Sequence, residues 1–229
     1  METKPVIDDL MDCMASALPD ARSIRSLVMQ MAEGWLDSEQ MPAAVQHPLG
    51  FLYMPLWKAD GTALRLHLWS ELGQRPAPLT SPYHRHAWSL VSHVLAGSVT
   101  NELPSVVCQH AGADFRLYDI CGDGGVDVIT PTNITVKRND ARRDTYAQGQ
   151  TYTTDAGEFH ATTSPDGGFA ATLCLVRAVA GCTEVTLGPL EETVIEQRRE
   201  PASSEAVSRG LRTLLEALRN DGEYARDQL

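Results

Sequence analysis

The feature that most constrains the fold is a long run of short β-forming segments between about residues 50 and 188. Gly-, Pro- and Asp-containing turns separate these segments, and no helical pattern interrupts them. Two of the segments, "FLYMPLW" and "LRLHLW", flank "KADGTA", in which Asp60-Gly61 is a hairpin turn signal. Many short strands in close succession are typical of an antiparallel sandwich or barrel. The sequence therefore predicts a mainly β domain over residues 49–190.

Helical patterns precede and follow the β region. After Asp20, a candidate N-cap, apolar residues recur at helical spacing, and residues 1–48 are predicted as an N-terminal helical segment. The polar stretch "IEQRREPASS" is interpreted as a linker, and an amphipathic stripe follows it. The stripe ends at "NDG", residues 220–222, so residues 191–229 are predicted as a linker and a C-terminal helix. The apolar stripe consists of Val207, Leu211, Leu214, Leu215 and Leu218.

Composition argues against two classes of partner. The 229 residues carry a formal net charge of −11, from 30 acidic and 19 basic residues, which disfavours nucleic acid. No apolar run approaches the roughly 18 residues of a membrane-spanning helix, so no membrane partner is expected. The N-terminus lacks the apolar stretch of a signal peptide, and a cytoplasmic location is expected. The five scattered cysteines, with no CxxC pair, are expected to be reduced thiols.

Three histidines form a candidate metal site. His84 and His86 are two residues apart, so strand alternation places both imidazoles on one face, where they can bind one ion. A third ligand must come from elsewhere in the chain. Downstream, "GQTYTTDAGEFHATTS" contains His160 three residues after Gly157, in a strand-turn-strand context. The predicted metal ligands are therefore His84, His86 and His160.

These two stretches resemble the paired motifs of the cupin superfamily. The first motif has the form H-x-H, a spacer of three or four, usually a Glu, six residues and a Gly; the second is G-x5-P-x-G-x2-H-x3-N. Here the first reads His84, His86, Leu90 and Gly97, and the second reads Gly149, Asp155, Gly157, His160 and Ser164. The resemblance covers residues 84–97 and 149–164. It implies a cupin-type jelly-roll β-barrel, here with N- and C-terminal helices.

The main departure from the cupin motifs is Leu90, which stands where many cupins have a metal-binding Glu. The implied site is then a neutral face of three histidines, similar to that of the cysteine dioxygenase-like branch, which holds Fe(II) in this way. Three neutral imidazoles leave the full +2 charge on the metal and leave positions open for a substrate and O2. The Ser-His-Tyr relay of that branch is not found downstream of His160.

Further candidates surround the three histidines. Arg65 and His67 project from the polar face of a predicted strand, where Arg65 either holds a substrate carboxylate or lies on the barrel exterior. Tyr83 and Tyr152 are the candidate catalytic residues, since a phenol there could hydrogen-bond a bound oxygen species. Trp88, with Arg65 and His67, is a candidate for substrate binding; it either closes the pocket or packs against a helix.

The other histidines are not predicted as ligands. His93 faces away from the Leu90 side by strand alternation, and His47 and His110 are expected at the surface. The 51 residues between Gly97 and Gly149 exceed the needs of a minimal cupin barrel. Their charged stretch "RNDARRDTYAQG" is interpreted as a solvated hairpin or as a lid or dimer contact.

Together these patterns predict a metal-dependent dioxygenase of the non-haem kind, with Fe(II) favoured and Ni, Mn, Cu or Zn as alternatives. Its partners would be O2 and a small polar substrate, such as a thiol or an amino acid like cysteine. The terminal helices offer apolar faces that either form a homodimer or pack on the barrel of the same chain. Because one fold hosts many reactions, two alternatives remain: another metal-dependent cupin enzyme, a decarboxylase or isomerase, or a non-catalytic ligand-binding cupin.

Overall fold

The computed structural model describes residues 3–16, 19–38, 41–69, 80–123, 125–164 and 168–224. Its helices are α1 (Thr3–Ala15), α2 (Ala21–Asp37) and α3 (Ser204–Tyr224). Asp20 caps α2 as predicted, because its carboxylate accepts hydrogen bonds from the Arg22 N–H at 3.1 Å and the Ser23 hydroxyl at 2.6 Å. Helix α3 continues through the predicted stop at residues 220–222. Among these described residues, no helix combines the length and the apolar character needed to cross a bilayer.

Short antiparallel strands make up most of the remaining chain. In chain order they are β1 (Val45–Gln46), β2 (Phe51–Ala59), β3 (Thr62–Trp69), β4 (His84–Arg85), β5 (Trp88–Ala96), β6 (Ser98–Cys108), β7 (Phe115–Asp123), β8 (Val126–Ala147), β9 (Thr151–Thr154), β10 (Ala161–Thr163), β11 (Ala170–Ala178), β12 (Val185–Gly188), β13 (Ile195–Arg198) and β14 (Glu200–Pro201). The predicted hairpin at Asp60-Gly61 is confirmed, since both residues have a positive φ between β2 and β3.

The strands form two antiparallel sheets. The first has the order β14-β1-β2-β3-β11-β5-β9, and the second has the order β10-β6-β8-β7-β12-β4, with β13 paired to β8. An isolated bridge between His84 and His160 brings the two ends of the second sheet together. The predicted fold class is thus confirmed: a mainly β, nearly closed barrel with helices at both ends.

The helices cover one face of the first sheet. Leu64, Leu66 and Leu68 alternate along β3 and are fully buried in one cluster with the apolar stripes of α1, α2 and α3. The opposite face of the same strand carries Arg65, His67 and Trp69 into the barrel interior, where Trp69 packs with Phe51 and Tyr152, among others. The sequence alternation in "LRLHLW" therefore separates a helix-packed face from a polar, aromatic interior.

Residues 98–148 are central to the second sheet and are not an addition to it. They form β6, β7 and β8, and β8 pairs with β7 along its first half and with β6 along its second half. Arg142 and Arg143 project from β8 with side chains 69% and 70% exposed, and pair with Asp144 and Glu102. A lid or dimer contact by these arginines stays a prediction.

The segment interpreted as a polar linker instead forms a strap between the two sheets. β13 pairs with β8 of the second sheet, and β14 pairs with β1 of the first. At the turn between them, the Arg199 N–H donates to the Gly125 carbonyl, and the Arg199 guanidinium makes a bidentate pair with Asp127 at 2.8 and 2.7 Å. The linker interpretation was wrong because such short strands carry no apolar pattern: alternate residues of β13 and both residues of β14 are exposed.

Gly97, the last residue of the first motif, has a packing role. It sits between β5 and β6 with a φ of +67°, a conformation that favours glycine. A Cβ at this position would lie 2.2 Å from the Phe169 carbonyl oxygen. The glycine at this spacing therefore permits the close approach of the chain before β11.

The Asp127–Arg199 pair gives a first testable expectation. We expect Asp127→Asn to lower the free energy of unfolding by about 1–3 kcal/mol, because it removes a charged bidentate partner from a residue that is 7% exposed. Urea denaturation measures this. As a control, Asp144→Asn breaks the exposed pair with Arg142 and should cost less than about 1 kcal/mol. Equal costs for the two variants would contradict a special role for the strap.

Candidate metal centre

Backbone hydrogen bonds bring the two histidine stretches together. The His84 N–H donates to the His160 carbonyl at 3.0 Å, and the His160 N–H donates to the His84 carbonyl at 2.9 Å. The Gly157 N–H donates to the His86 carbonyl at 3.0 Å from a turn in which Gly157 has a φ of +82°. Segments 74 residues apart are therefore held side by side by their main chains.

The three imidazoles converge as the sequence predicts. One ring nitrogen from each of His84, His86 and His160 lies within 4.8 Å of the others. The Nε2 atoms of His84 and His86 are 3.1 Å apart. Two nitrogens bound to one ion at 2.0–2.1 Å, at tetrahedral or octahedral angles, are about 2.8–3.4 Å apart. The spacing thus fits two ligands of a single metal ion, and the cluster contains no carboxylate among the described residues.

Backbone carbonyls fix the orientation of two of these rings. His84 Nδ1 lies 2.8 Å from the Pro82 carbonyl oxygen, and His160 Nδ1 lies 3.3 Å from the Glu158 carbonyl oxygen. A carbonyl only accepts, so each Nδ1 carries the proton and leaves the Nε2 lone pair available for a metal. The second ring nitrogen of a metal-bound histidine commonly makes such a bond.

Burial keeps the imidazoles uncharged. Desolvation, with a smaller contribution from nearby His84, lowers the pKa of His160 from 6.5 to about 3. Burial is also the main cause that lowers the pKa of His84 and of His86. Because a metal binds neutral imidazole, the cluster needs no deprotonation near neutral pH before an ion enters.

A cavity of about 80 Å³ lies beside His84 and His86. Its wall combines residues of the second sheet, the strap and the turn after β1. A volume of this size holds a few water molecules or a ligand of a few non-hydrogen atoms. A ligand in the cavity would therefore lie next to the histidine cluster.

Arg65 and Trp88 support the cluster from inside the barrel. The Trp88 ring stacks on His86, with centroids 4.4 Å apart and an angle of 14° between the planes. The Arg65 guanidinium lies 4.6 Å from the Trp88 ring and 5.5 Å from the Tyr53 ring, and its Nε is buried without a hydrogen bond. The alternative of an exposed Arg65 was wrong. Trp88 was expected to close the pocket or to pack against a helix. It instead packs on His86, one of the predicted metal ligands.

His67 lies on the same interior face of β3 as Arg65. Its Nδ1 is 3.7 Å from the Cys174 thiol, its ring packs at 4.7 Å from Phe51, and its Nε2 is buried without a partner. Burial, with a smaller effect of Arg65, lowers the pKa of His67 to about 3. His67 is therefore a neutral interior residue, and it does not join the metal cluster.

Tyr83 points away from the three histidines. Its hydroxyl donates to Glu102 Oε2 at 2.5 Å, and the Arg138 guanidinium lies 4.7 Å from its ring. Adjacent residues of an extended chain face opposite sides, so the neighbour of His84 lies behind the cluster. The Tyr83 hydroxyl thus contacts Glu102 and Arg138 and not the three imidazoles, and a catalytic role for it stays a prediction.

Tyr152 lies inside the barrel. Its hydroxyl hydrogen-bonds with Ser92 and Thr162, and burial is the main cause that raises its pKa. Its ring stacks on Tyr146, with centroids 4.5 Å apart. The Tyr152 hydroxyl is therefore already engaged by these two side chains. A catalytic role for Tyr152 stays a prediction.

His47 is one of the cavity residues that the sequence did not reveal. It was expected at the surface, but its ring lines the cavity with His84 and His86 and stacks on Phe51 at 4.3 Å. The Leu49 N–H donates to His47 Nδ1 at 3.2 Å, and burial holds the pKa of His47 well below its usual range, so the proton of the neutral ring is on Nε2. His93, in contrast, is buried away from the cluster as predicted, bonded to Thr151 at 2.8 Å.

Comparisons with known proteins do not identify a family for this chain. No protein-family model matches the chain, and no curated protein matches it. Among solved structures, it is similar to a cupin superfamily protein from Desulfitobacterium hafniense, with 9% identity and a TM-score of 0.32 over 56% of this chain and 78% of that one. We base the functional proposal on the site and not on these neighbours.

Two further solved structures are enzymes by their names. Hydroxypropylphosphonic acid epoxidase from S. wedmorenis has 14% identity and a TM-score of 0.35, over 60% of this chain and 57% of that one. The match thus spans little more than half of the epoxidase chain. The polyketide cyclase RemF from Streptomyces resistomycificus has 18% identity and a TM-score of 0.33, over 74% of this chain and 87% of that one.

The cluster predicts stoichiometric metal binding. We expect the untagged chain to bind about one transition-metal ion, and His160→Asn to lower the affinity at least about 100-fold, because it removes one of three ligands. Elemental mass spectrometry and Fe(II) or Co(II) titration measure this. His110→Asn, at an exposed histidine, is the control and should bind normally. A wild-type chain that binds no ion would rule out the metal centre.

His67 predicts part of the pH dependence of stability. Its folded pKa is depressed, so its contribution is complete above pH 6.5 and is lost as the pH falls towards 3. Between pH 7 and pH 5, His67→Gln should lose about 1–2 kcal/mol less unfolding free energy than the wild type. Urea denaturation with a metal chelator at both pH values measures this, with His110→Gln as control. The same pH loss in all three proteins would refute the role of His67.

Proposed function

We propose that this chain is a cupin-type, metal-dependent dioxygenase that uses Fe(II) and O2 on a small polar substrate. The observation that carries the proposal is the group of three neutral imidazoles, free of carboxylate, beside a cavity. Such a ligand set leaves the metal charge uncompensated and so favours an anionic donor from the substrate. The motif resemblance of residues 84–97 and 149–164 to cupins supports the family, and Leu90 supports the three-histidine branch.

Fe(II) fits the donor set because imidazole suits iron, although it also suits zinc, copper and nickel. His84, His86 and His160 would hold the ion. When bound, Fe(II) supplies open positions for O2 and for a substrate donor, and a redox couple that the side chains lack. With a thiol such as cysteine, the balanced reaction adds both oxygen atoms to sulfur and gives a sulfinate. We thus propose both the identity of the metal, Fe(II), and the substrate class, a small thiol or amino acid.

The residues around the cluster have separate tasks in this proposal. His47 offers an Nε2–H at the cavity, where it donates a hydrogen bond to an acceptor on the bound substrate. Arg65 adds a fixed positive charge beside Trp88 and so favours an anionic substrate group near the cluster. Ile120, Ile129 and Leu49 give the cavity an apolar part that excludes water from the reacting groups. A cytoplasmic location and a homodimer stay predictions.

Oxygen consumption tests the proposal. We expect the Fe(II)-loaded chain to consume one O2 per substrate for at least one compound in a panel of small thiols and amino acids, with mass spectrometry showing a gain of two oxygen atoms. The Zn(II)-loaded chain has the same site without a redox couple, and should be inactive. His160→Asn with the same total iron controls for free iron. Iron uptake without oxygen consumption across the panel would favour a decarboxylase, an isomerase or a binding protein.

A further inference from the structure

The cavity above His84 and His86 has an unequal set of charged groups. Among the described residues that line it, two carboxylates, Asp127 and Glu184, face one guanidinium, that of Arg199. The lining histidines are neutral because burial lowers their pKa values. Before any ion binds, the described part of the cavity wall therefore carries a net charge of one negative unit.

Arg199 is already committed to Asp127. Its Nε donates to Asp127 Oδ2 at 2.8 Å and its Nη2 donates to Oδ1 at 2.7 Å, so the pair is neutral as a unit. The strap holds Arg199 in place through its N–H bond to the Gly125 carbonyl. The excess negative charge of the wall therefore belongs to Glu184.

Glu184 is fixed in position, and the nearest cations, Arg199 and Arg65, act on its carboxylate only at longer range. Its carbonyl accepts the Ile120 N–H at 2.9 Å, which anchors the chain just before β12. Like Thr186, two residues along, it lines the cavity, whereas Val185 between them packs on the other face of the sheet. In the part of the chain that is described, its side chain has no hydrogen bond and no ion pair within 4.0 Å. A half-buried carboxylate without a direct partner is costly, so a cationic group of a bound ligand would stabilise it.

The cluster end of the cavity has the opposite polarity. A divalent ion on three neutral imidazoles keeps its +2 charge, and Arg65 adds a cation beside Trp88 and His86. A ligand that spans the cavity is thus matched by an anionic donor at the metal and a cationic group at Glu184. A purely anionic ligand would leave Glu184 uncompensated or repelled.

We propose that Glu184 is a specificity-determining residue that binds the cationic nitrogen of a dipolar substrate, whose anionic donor binds the metal. This inference rests on the proposed metal site and narrows its substrate class to small molecules with an ammonium group at one end. The interaction is a charge-assisted hydrogen bond from the ammonium to the carboxylate. It selects among substrates that share the same metal-binding donor.

The test compares thiols that differ in the group far from sulfur. The full chain is loaded with Co(II), and the thiolate-to-cobalt absorption band is titrated with cysteamine and with 2-mercaptoethanol at pH 7.5. We expect the wild type to bind cysteamine about tenfold more tightly. Glu184→Gln, which keeps the shape and removes the charge, should reduce this ratio at least fivefold and leave the 2-mercaptoethanol affinity within about twofold.

Glu196→Gln is the matched control. Glu196 is an exposed residue of β13, next to the cavity-lining Gln197, so its substitution removes one negative charge without altering the wall. It should keep the wild-type ratio. The amine of cysteamine can also bind cobalt and so raise its affinity in every variant. The test of Glu184 is therefore the change in the cysteamine-to-mercaptoethanol affinity ratio from wild type to variant, and not the size of the ratio in one protein.

Two results would overturn the inference, and they are distinguishable. If all three proteins bind Co(II) and both thiols, and Glu184→Gln keeps the wild-type ratio, Glu184 does not select the cation and the metal site stands. If the wild type binds no Co(II), the proposed function fails as well. Unchanged binding of 2-mercaptoethanol by Glu184→Gln shows that the variant is folded.

Discussion

The site depends on one pair of reciprocal backbone hydrogen bonds, between His84 and His160. These bonds close the second sheet and, in the same place, bring together imidazoles from two motifs that are far apart in the chain. Main-chain bonds hold the geometry without using the side chains, so each ring nitrogen remains available for another partner. The carbonyls of Pro82 and Glu158 then take the Nδ1 protons, and the Nε2 atoms are left facing one another. Backbone hydrogen bonds thus set the geometry of the site, and the imidazole side chains remain available as metal ligands.

Burial determines the electrostatic character of this interior. Inside the barrel, the histidines are neutral because desolvation outweighs every other effect on their pKa values. Arg65 remains a cation there and lies between two aromatic rings, where the attraction of the ring faces replaces a carboxylate partner. Among the described residues, the histidine cluster itself therefore contains no carboxylate to compete with a metal-bound donor. Negative charge is found instead on the wall of the cavity, at Glu184.

The sequence predicts what depends on short-range spacing. Alternation places His84 and His86 on one face, and motif spacing identifies His160, because both follow from local strand and turn geometry. The same alternation shows that Tyr83, the neighbour of His84, faces the other way, although its position in the sequence made it a candidate. His47 and Arg199 escaped prediction because their role comes from tertiary contacts. Each lies in a short connection between strands, and no local pattern reveals that such a connection lines the cavity.

The strap also couples stability to specificity. Asp127 on β8 and Arg199 on the strap form a bidentate pair, and this pair occupies the guanidinium that lines the cavity with Glu184. If the pair opened, Arg199 would be free to turn to Glu184, since the charges of the two side chains already influence each other's pKa. The cavity would then lose its negative end even though the metal ligands were unchanged. The contact that fixes the strap to β8 is therefore also the contact that keeps the carboxylate available to a cationic ligand.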